Sequence, residues 1–488
     1  MPKSKKTPRS QPVDPHQNTA TAYLQLDGRT LEGGGQLVRN ALALSAITRQ
    51  PVSIHHIRGN RQGKAGLKTS HTAAVQFLAD ITGSEISGVQ VGSQFLSFVP
   101  APRPDGTSAA VKSEYEIHLP TAGSIFLVFQ AVYPYLLSVA TEPLRLDLRG
   151  GTNVSFSPSY DYVAQVLTPN FRTMGLPQLS IHLHKRGWSG PNVLGDVSVL
   201  IHPLGSSPTE DKDHGRASNK GTTGFHFPFI DLTRYGRGKV TAIEITVLAS
   251  DEPMHSGPPG EGLNRQSSAE ENLSIRQFTE QEIQQALRLK IKSLPSSVFQ
   301  TNTSQVCSET LVPINIHTSE ATGHRSHMYL LIVAHTTTGL RLGRDALFGD
   351  GGGVRDRDRK RESGAQRKQR DASHASSPRR PRGRSMESRA RELVERCVDS
   401  FAEELFDEKR KGSPGRMEEG KEKPCVDVFM RDQMVVFEAL GRMSRRGIPG
   451  GNGKGEEDRA AGPYREDEGY WSLHTQTAKW VCRQLLKE

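Results

Sequence analysis

The sequence predicts a protein of the α/β class, because segments with strand periodicity alternate with segments of helical periodicity. Residues 23–27 alternate between apolar and polar side chains, as a half-buried strand does, and residues 36–48 repeat apolar side chains at helical spacing. A second strand at 52–57 and a second helix at 71–81 follow in the same order. This alternation is typical of sheets covered by helices and not of a helical bundle.

The later segments continue this alternation, with one change in composition. A polar, glycine-rich stretch at 206–223 separates the first half from a strand and an amphipathic helix, so we expect a small separate unit at roughly 206–305. The remaining predicted elements are a helix at 124–139, further α/β segments at 144–148 and 160–167, a strand at 239–248, a helix at 276–291, strands at 311–316 and 328–334, and helices at 389–406 and 425–440.

Two segments are too polar to pack into a core. Residues 349–388 are rich in Arg and Ser, and residues 445–468 are rich in Gly, Arg and Glu. Few apolar side chains with many charges predict disorder. The hydrophobic fraction of the 488-residue chain, 34%, agrees with this expectation because ordinary globular domains contain more.

The net charge of +10 is local. Residues 354–391 contain fourteen basic and five acidic residues, which account for nine of the ten net positive charges. The rest of the chain is nearly neutral, so a nucleic-acid site in the folded part would have to be a local arginine cluster.

Cysteine spacing and hydropathy exclude several classes of protein. The four cysteines (Cys307, Cys397, Cys425 and Cys482) are widely separated, which indicates neither a disulfide framework nor a zinc site and favours a reducing compartment. We expect no membrane-spanning helix, because no apolar run approaches about 18 residues. We expect no secretory signal, because no apolar stretch follows the basic N-terminal residues.

A glycine turn followed by a helix is the first feature that suggests chemistry. Residues 33–35 are three glycines that join the first strand to the first helix, and such a turn can present backbone N–H groups to a phosphate. Arg39, Arg58 and Arg61 follow, and a guanidinium pairs bidentately with phosphate oxygens. These residues alone also fit a simple tight turn with solvated surface arginines.

The order of these and later motifs resembles that of the RNA 3′-terminal phosphate cyclases. The matching residues are Leu26-Asp27-Gly28, Glu32-Gly33-Gly34-Gly35-Gln36, Arg39, Ile57-Arg58, Arg61, Gly66-Leu67, His71, Ala74-Val75, Ala122-Gly123-Ser124, Gln130, Gly150-Gly151-Thr152-Asn153, Pro158, Asp161-Tyr162, Val426-Asp427, Phe429, Asp432-Gln433 and Ser472-Leu473-His474-Thr475-Gln476-Thr477-Ala478.

The resemblance implies a fold and a domain order. It implies a large domain of repeated β-α-β-α-β-β units with a small inserted α/β domain, and a further strand beyond the position where this chain ends. The expected division is a basic disordered tail at 1–20, the large domain at 21–205, the small inserted domain at 206–305, the large domain continued at 306–348, a disordered Arg/Ser-rich insertion at 349–388, and the C-terminal part of the large domain with the nucleophile motif at 389–488.

The resemblance also implies an activity. Members of the family use ATP and Mg²⁺ or another divalent cation to convert an RNA 3′-phosphate to a 2′,3′-cyclic phosphodiester. This is a ligase-like nucleotidyl transfer through a histidine–AMP intermediate and an RNA-adenylate. The expected partner is therefore RNA with a 3′-phosphate end, without a membrane partner. The expected location is nuclear, or nuclear and cytoplasmic, and the oligomeric state is left open.

Motif matching assigns a role to each candidate residue. His474 corresponds to the nucleophile, and Glu32 to a residue that places the metal or the histidine. The ATP-binding positions are Gln130, Pro158, Phe429, Asp432 and Gln433, and the positions for the triphosphate and the RNA terminal phosphate are Arg39, Arg58, Arg61 and His71. A neutral imidazole is a good nucleophile near pH 7, which agrees with the role of His474.

The chain departs from the family pattern in three places. Ser70 stands where the family has glutamine, and Phe429 stands where tyrosine is common, so stacking on adenine is kept without a phenolic hydrogen bond. The stretch 186–190 lacks a triple glycine. The alternatives are a cyclase-like ribosome-biogenesis protein without catalysis, a degenerate cyclase that still binds RNA, and an interaction protein whose function lies in the Arg/Ser-rich segment.

Overall fold

The computed structural model describes residues 23–61, 65–102, 111–189, 193–205, 226–254, 273–300, 312–348, 385–407, 421–446 and 463–487. The predictions of disorder at 1–20 and the polar stretch at 206–223 lie outside these residues, as does nearly all of the predicted insertion at 349–388. Within them the protein is of the mixed α/β class, as predicted, with three four-stranded sheets.

The first sheet is built from the N-terminal strands in the order β1-β2-β4-β3. β1 pairs in parallel with β2, and the other two pairings are antiparallel. Helix α1 follows β1 and helix α2 follows β2. The bounds are β1 Leu24–Asp27, α1 Gly35–Thr48, β2 Val52–His55, α2 Thr69–Thr82, β3 Glu85–Ser87 and β4 Leu96–Val99.

The second sheet repeats this connectivity. Its order is β5-β6-β8-β7, again with one parallel pair followed by two antiparallel pairs. The bounds are β5 Glu114–His118, α3 Ile125–Val139, β6 Leu144–Gly150, α4 (a helical stretch made of Tyr160–Tyr162, a π-helical turn Val163–Leu167 and Thr168–Thr173), β7 Leu179–Lys185 and β8 Gly195–Ile201. The β-α-β-α-β-β unit implied by the resemblance therefore occurs twice.

The third sheet has the order β10-β9-β11-β12 and carries two helices on one side. Its elements are β9 Val240–Ser250, α5 Ile275–Lys292, β10 Ile314–Thr322, β11 Tyr329–Thr336, β12 Arg341–Leu347 and α6 Met386–Leu405. These elements lie on both sides of residue 305, and the predicted domain limits stay predictions.

Strand β11 explains how this sheet joins the rest of the molecule. Tyr329, Leu331 and Val333 face the large core formed with the first two sheets, whereas Leu330 and Ile332 face α5 and α6. Successive side chains of a strand point to opposite faces, so a continuous apolar run indicates burial on both sides.

The C-terminal elements complete the large core. The short strands β13 Lys421–Glu422 and β14 Arg465–Glu466 pair in parallel, and each precedes a helix, α7 Val428–Arg446 and α8 Leu473–Leu486. Helix α8 packs against α1 and α7. This packing brings the last helix of the described residues next to the first.

The described residues on either side of the segment 349–384, between β12 and α6, lie close together. The guanidinium carbon of Arg389 lies 5.7 Å from the ring centre of Phe348, and Arg396 donates a hydrogen bond of 2.6 Å to the carbonyl of Leu347. The chain therefore leaves the third sheet and returns to it at one point.

Two further predictions can be compared with the described residues. Cys397, Cys425 and Cys482 are buried and form no disulfide among the described residues, whereas Cys307 lies outside them. Within the same ranges the structure contains no helix long and apolar enough to cross a membrane.

Candidate active site

The glycine turn places Glu32 and His71 against the start of α1. Gly33 has a φ of +61°, which a side chain would strain. A Cβ on Gly34 would collide with the Glu32 carboxylate, and a Cβ on Gly35 would lie 2.5 Å from His71 Nε2. The glycines are therefore required for the close approach of two candidate site residues.

The start of α8 supplies His474. Ser472 caps this helix by accepting a hydrogen bond of 3.0 Å from the N–H of Thr475, so His474 lies in the first turn. The backbone N–H of Glu32 donates to Thr477 Oγ1 at 3.2 Å. The positive ends of α1 and α8 thus meet beside Glu32, an arrangement that favours anions.

His474 faces Glu32 through one ring nitrogen. Its Nδ1 lies 3.5 Å from Glu32 Oε2, and the side chain is 30% exposed. Neither atom has a hydrogen-bond partner among the described residues. A hydrogen on Nδ1 would point to the carboxylate and leave the lone pair on Nε2, which is the arrangement that a nucleophilic imidazole needs.

The charges around His474 favour the neutral ring. Burial lowers its pKa, and the positive charges of Arg39 and Arg61 lower it further, whereas Glu32 opposes them. The imidazole therefore keeps a free lone pair near neutral pH.

The three predicted arginines surround Glu32. Arg61 donates a hydrogen bond to Glu32 Oε1, and Arg39, buried in α1, donates to Gln36 Oε1 at 2.9 Å. Burial lowers the pKa of Arg39 to about 10, against the attraction of Glu32. Arg58 donates to the carbonyl of Gly66 at 3.3 Å, and burial and the charge of Arg61 lower its pKa. Three guanidinium groups confined near one carboxylate form a site of net positive charge.

His71 is buried and uncharged. Its Nδ1 accepts a hydrogen bond of 3.0 Å from the N–H of Lys68, which leaves the hydrogen on Nε2. Burial and the charges of Arg39 and Arg58 lower its pKa to about 3. His71 can therefore act as a neutral hydrogen-bond donor beside the glycine turn.

Helix α7 presents Phe429, Asp432 and Gln433 on one face, since residues three and four apart are neighbours on a helix.

Asp427 fixes the start of this helix. Its Oδ1 accepts hydrogen bonds of 3.0 Å from the N–H groups of both Phe429 and Met430, and one of 2.7 Å from the Tyr162 hydroxyl. The predicted helix at 425–440 consequently begins only at Val428, after its cap.

Asp432 is buried near the arginines. Burial raises its pKa to about 7, whereas a hydrogen bond from Gln433 and the charge of Arg39 act in the opposite direction. Asp432 and Gln433 also line a cavity of about 30 Å³ together with Gln130 and Asn40. Within the described ranges Gln130 Oε1 and Asn40 Nδ2 have no hydrogen-bond partner, so the cavity offers unused polar atoms.

Contacts of Ser159 and Tyr162 connect Pro158 to Phe429. Pro158 is half-buried and precedes Ser159, whose hydroxyl accepts from the N–H of Tyr162 at 3.0 Å. The Tyr162 ring lies edge-on to Phe429, with ring centres 5.9 Å apart. Phe429 itself is 38% exposed.

The structure thus groups most of the predicted residues. Charge interactions and contacts join Glu32, Arg39, Arg58, Arg61, His71, Asp432 and His474, and the cavity joins Gln130 and Gln433 to Asp432. Asn40 was not predicted as a site residue. In the sequence, only its position next to Arg39 pointed to the site. Arg344, which covers Phe429, was also missed because it comes from a distant strand.

Comparison with known proteins gives the same family as the motifs. A sequence model of the RNA 3′-terminal phosphate cyclases matches residues 30–488. Among curated proteins, an RNA 3′-terminal phosphate cyclase of Desulfurococcus amylolyticus is 43% identical over 166 residues, 34% of this chain and 44% of that protein.

A second relative extends the similarity. The RNA 3′-terminal phosphate cyclase of Methanosarcina acetivorans is 38% identical over 234 residues, which are 48% of this chain and 62% of that protein. In these alignments the chain spans about half the length of the curated relatives it matches. Because the family model covers nearly the whole sequence, the chain belongs to the RNA 3′-terminal phosphate cyclase family.

Proposed function

We propose that this protein converts an RNA 3′-phosphate to a 2′,3′-cyclic phosphodiester at the expense of ATP, through a His474–AMP intermediate and an RNA-adenylate. The observation that carries the proposal is the position of His474. It lies in the first turn of α8, with Nδ1 against Glu32 and with Arg39 and Arg61 near enough to lower its pKa.

In the first step, His474 Nε2 attacks the α-phosphorus of ATP. An N–P bond forms, the bond to the bridging oxygen breaks, and pyrophosphate leaves with the electron pair. Arg39, Arg58 and Arg61 would neutralise the phosphate oxygens, because guanidinium groups and helix N-termini stabilise charge on such oxygens.

Two further steps complete the reaction. An oxygen of the RNA 3′-phosphate attacks the phosphorus bound to His474, and the N–P bond breaks to give back the imidazole. The neighbouring 2′-hydroxyl then attacks the terminal RNA phosphorus, loses its proton and displaces AMP. His71, a neutral donor at Nε2, would hold a phosphate oxygen during these transfers.

The nucleotide would lie along α7. Phe429, which is 38% exposed, offers aromatic surface for the base, and Pro158 precedes the helical stretch that carries its neighbour Tyr162. Gln130, Asp432 and Gln433 offer polar atoms beside it, and Gln130 Oε1 has no partner within the described part of the chain. Unpaired buried amide atoms of this kind favour a polar ligand.

Glu32 fits a divalent cation. Its Oε2 is buried and has no hydrogen-bond partner among the residues that the structure describes, and carboxylate oxygens are the ligands that Mg²⁺ prefers. Those residues contain no cluster of three or more His, Cys, Asp or Glu side chains suited to a metal ion. Phosphate oxygens and water would therefore supply the other ligands. A bound cation would offset phosphate charge.

Adenylation with α-labelled ATP tests the proposal. The wild type should acquire an acid-labile covalent label, and His474→Ala should acquire none. His335→Ala is the matched control, because His335 also faces a carboxylate, with its Nε2 2.8 Å from Glu244, in the third sheet. The control should label normally.

Conversion of 3′-phosphorylated RNA to a phosphatase-resistant end then tests the substrate. A folded wild type that takes no label would contradict the proposal and favour a non-catalytic role in RNA processing or ribosome biogenesis. We also propose a nuclear location, for which the basic residues 354–391 would provide the address; imaging of the tagged chain with and without them is the test.

A further inference from the structure

Phe429, the residue proposed to stack on the base of ATP, has the guanidinium group of Arg344 over its ring. The guanidinium carbon of Arg344, from β12, lies 4.7 Å from the centre of the Phe429 ring. The Tyr162 ring lies nearly perpendicular to the same ring, with ring centres 5.9 Å apart. Phe429 nevertheless remains 38% exposed, so ring surface is left for a ligand.

Arg344 is itself held in place. It forms an ion pair with Glu404 of α6, and the two side chains are only 12% and 6% exposed. Glu404 also pairs with Arg237, so both of its carboxylate oxygens are engaged. A guanidinium fixed by a buried carboxylate loses little further freedom when it lies over a ring.

The strand that carries Arg344 is also fixed to α7. The N–H of Gly343 donates a hydrogen bond of 2.9 Å to Asp427 Oδ2, and Asp427 caps α7 two residues before Phe429. A Cβ at Gly343 would lie 2.7 Å from Val166 Cγ2, so the backbone approaches α4 as closely as glycine permits. The third sheet therefore determines where Phe429 lies.

We propose that Arg344 is a positioning residue for the base of ATP. By covering one face of Phe429 it holds the ring in a single orientation and presents the remaining surface to the base. The inference rests on the proposed function, and it makes nucleotide affinity depend on a residue of the third sheet that does not touch the reacting phosphates.

The test compares variants of the 488-residue chain. Arg344→Met keeps much of the packing without the charge, and Arg344→Lys keeps a partner for Glu404 without the flat guanidinium. Arg445→Met is the matched control, because Arg445 covers Phe229 at 4.5 Å and Phe229 is 37% exposed, nearly the same as Phe429. Phe429→Leu, alone and combined with Arg344→Met, completes a double-mutant cycle.

Two quantities are measured. The dissociation constant is obtained by calorimetry with an ATP analogue whose α,β-bridge cannot be cleaved. The single-turnover rate of adenylation is measured at saturating ATP. We expect Arg344→Met to raise the dissociation constant about tenfold and Arg344→Lys about threefold, with the saturated rate within twofold of wild type. In the Phe429→Leu background, Arg344→Met should change the dissociation constant by less than about twofold.

Several outcomes would overturn the inference: an unchanged dissociation constant in either Arg344 variant, an equal loss in Arg445→Met, or a full additional loss in the Phe429→Leu background. If Arg344→Met does not fold, Arg344→Lys alone decides. A wild type that binds the analogue but is not adenylated would refute the proposed function and leave the role of Arg344 in binding standing, whereas a wild type that binds no nucleotide would refute both.

Discussion

The side chains of Glu32 and Glu404, which are 8% and 6% exposed, both lie among cationic side chains but differ in how completely they are paired. Both oxygens of Glu404 accept from arginines, Arg237 and Arg344, and their charges outweigh burial and lower its pKa to about 2. Glu32 accepts from Arg61 through one oxygen, while its other oxygen faces His474 Nδ1 without a hydrogen bond in the described ranges.

The difference distinguishes a structural cluster from a site. A buried charge whose partners are all satisfied holds elements together, here α6 and β12, and has no capacity for a ligand. A buried charge with an unused oxygen, beside Arg39 and Arg61 whose Nε atoms also have no partner within the described part of the chain, is ready to receive one.

The largest effect should be on stability, at Glu404. Glu404→Gln would leave Arg237 and Arg344 buried without a countercharge, and removal of one member of such a cluster costs about 3–5 kcal/mol. Urea denaturation at pH 7 measures the free energy of unfolding. A loss below about 1 kcal/mol would show that the two glutamates do not differ in this way.

Glu32→Gln should have the opposite effect, with a large loss of activity and a small loss of stability. We expect adenylation to fall about a hundredfold, because the carboxylate that orients His474 and would bind the cation is lost. Stability should change by less than about 1 kcal/mol, since the replaced group is incompletely paired in the folded protein. Quench-flow adenylation and urea denaturation of one preparation give both values, and equal losses in stability at Glu32 and Glu404 would remove the distinction.

Arg58→Gln and Arg61→Gln test the arginines that lie around Glu32. Each should weaken cyclisation of 3′-phosphorylated RNA about tenfold, with smaller effects on folding, because each removes one charge-assisted contact to phosphate. Arg276→Gln is a control, since Arg276 pairs with exposed Asp251 away from the site. Unchanged turnover in an Arg58 or Arg61 variant would remove that residue from the site.

The smallest expected effect concerns Asp432 and pH. The folded pKa of about 7 exceeds the ordinary value, so the native state binds more protons than the unfolded state between pH 4 and 7. Stability therefore falls as the pH rises through this range. Asp432→Asn should lose this dependence and be more stable than wild type at pH 8, where the wild-type carboxylate is ionised. Thermal denaturation at pH 5 and pH 8 measures it, and parallel profiles would contradict it.

Local pattern was enough to predict most elements of the fold. The helices at 36–48 and 124–139 are found within a residue of their predicted starts, because long runs rich in apolar residues form helices that are buried on nearly every side. Helix α6 begins three residues before the predicted start, since Ser385 caps it by accepting from the N–H of Ser388. Motif order predicted the family, which the comparison confirms.

The contacts that form the site could not be predicted from local pattern. Glu32 and His474 are separated by most of the chain and meet only because α8 packs on α1. Arg344 and Asn40 carry no motif of their own, and their positions depend on how distant elements pack against α7 and α3. The roles of the site residues, the cofactors and the location stay predictions.

The contact between Phe348 and Arg389 has a consequence for how the chain tolerates changes in length. The contacts of Phe348 and Leu347 with α6 hold the two ends of the segment 349–384 close together. The entropy of closing a loop grows with the logarithm of its length, about 0.6 kcal/mol for each doubling. Halving the segment 349–384 should thus leave the denaturation midpoint almost unchanged.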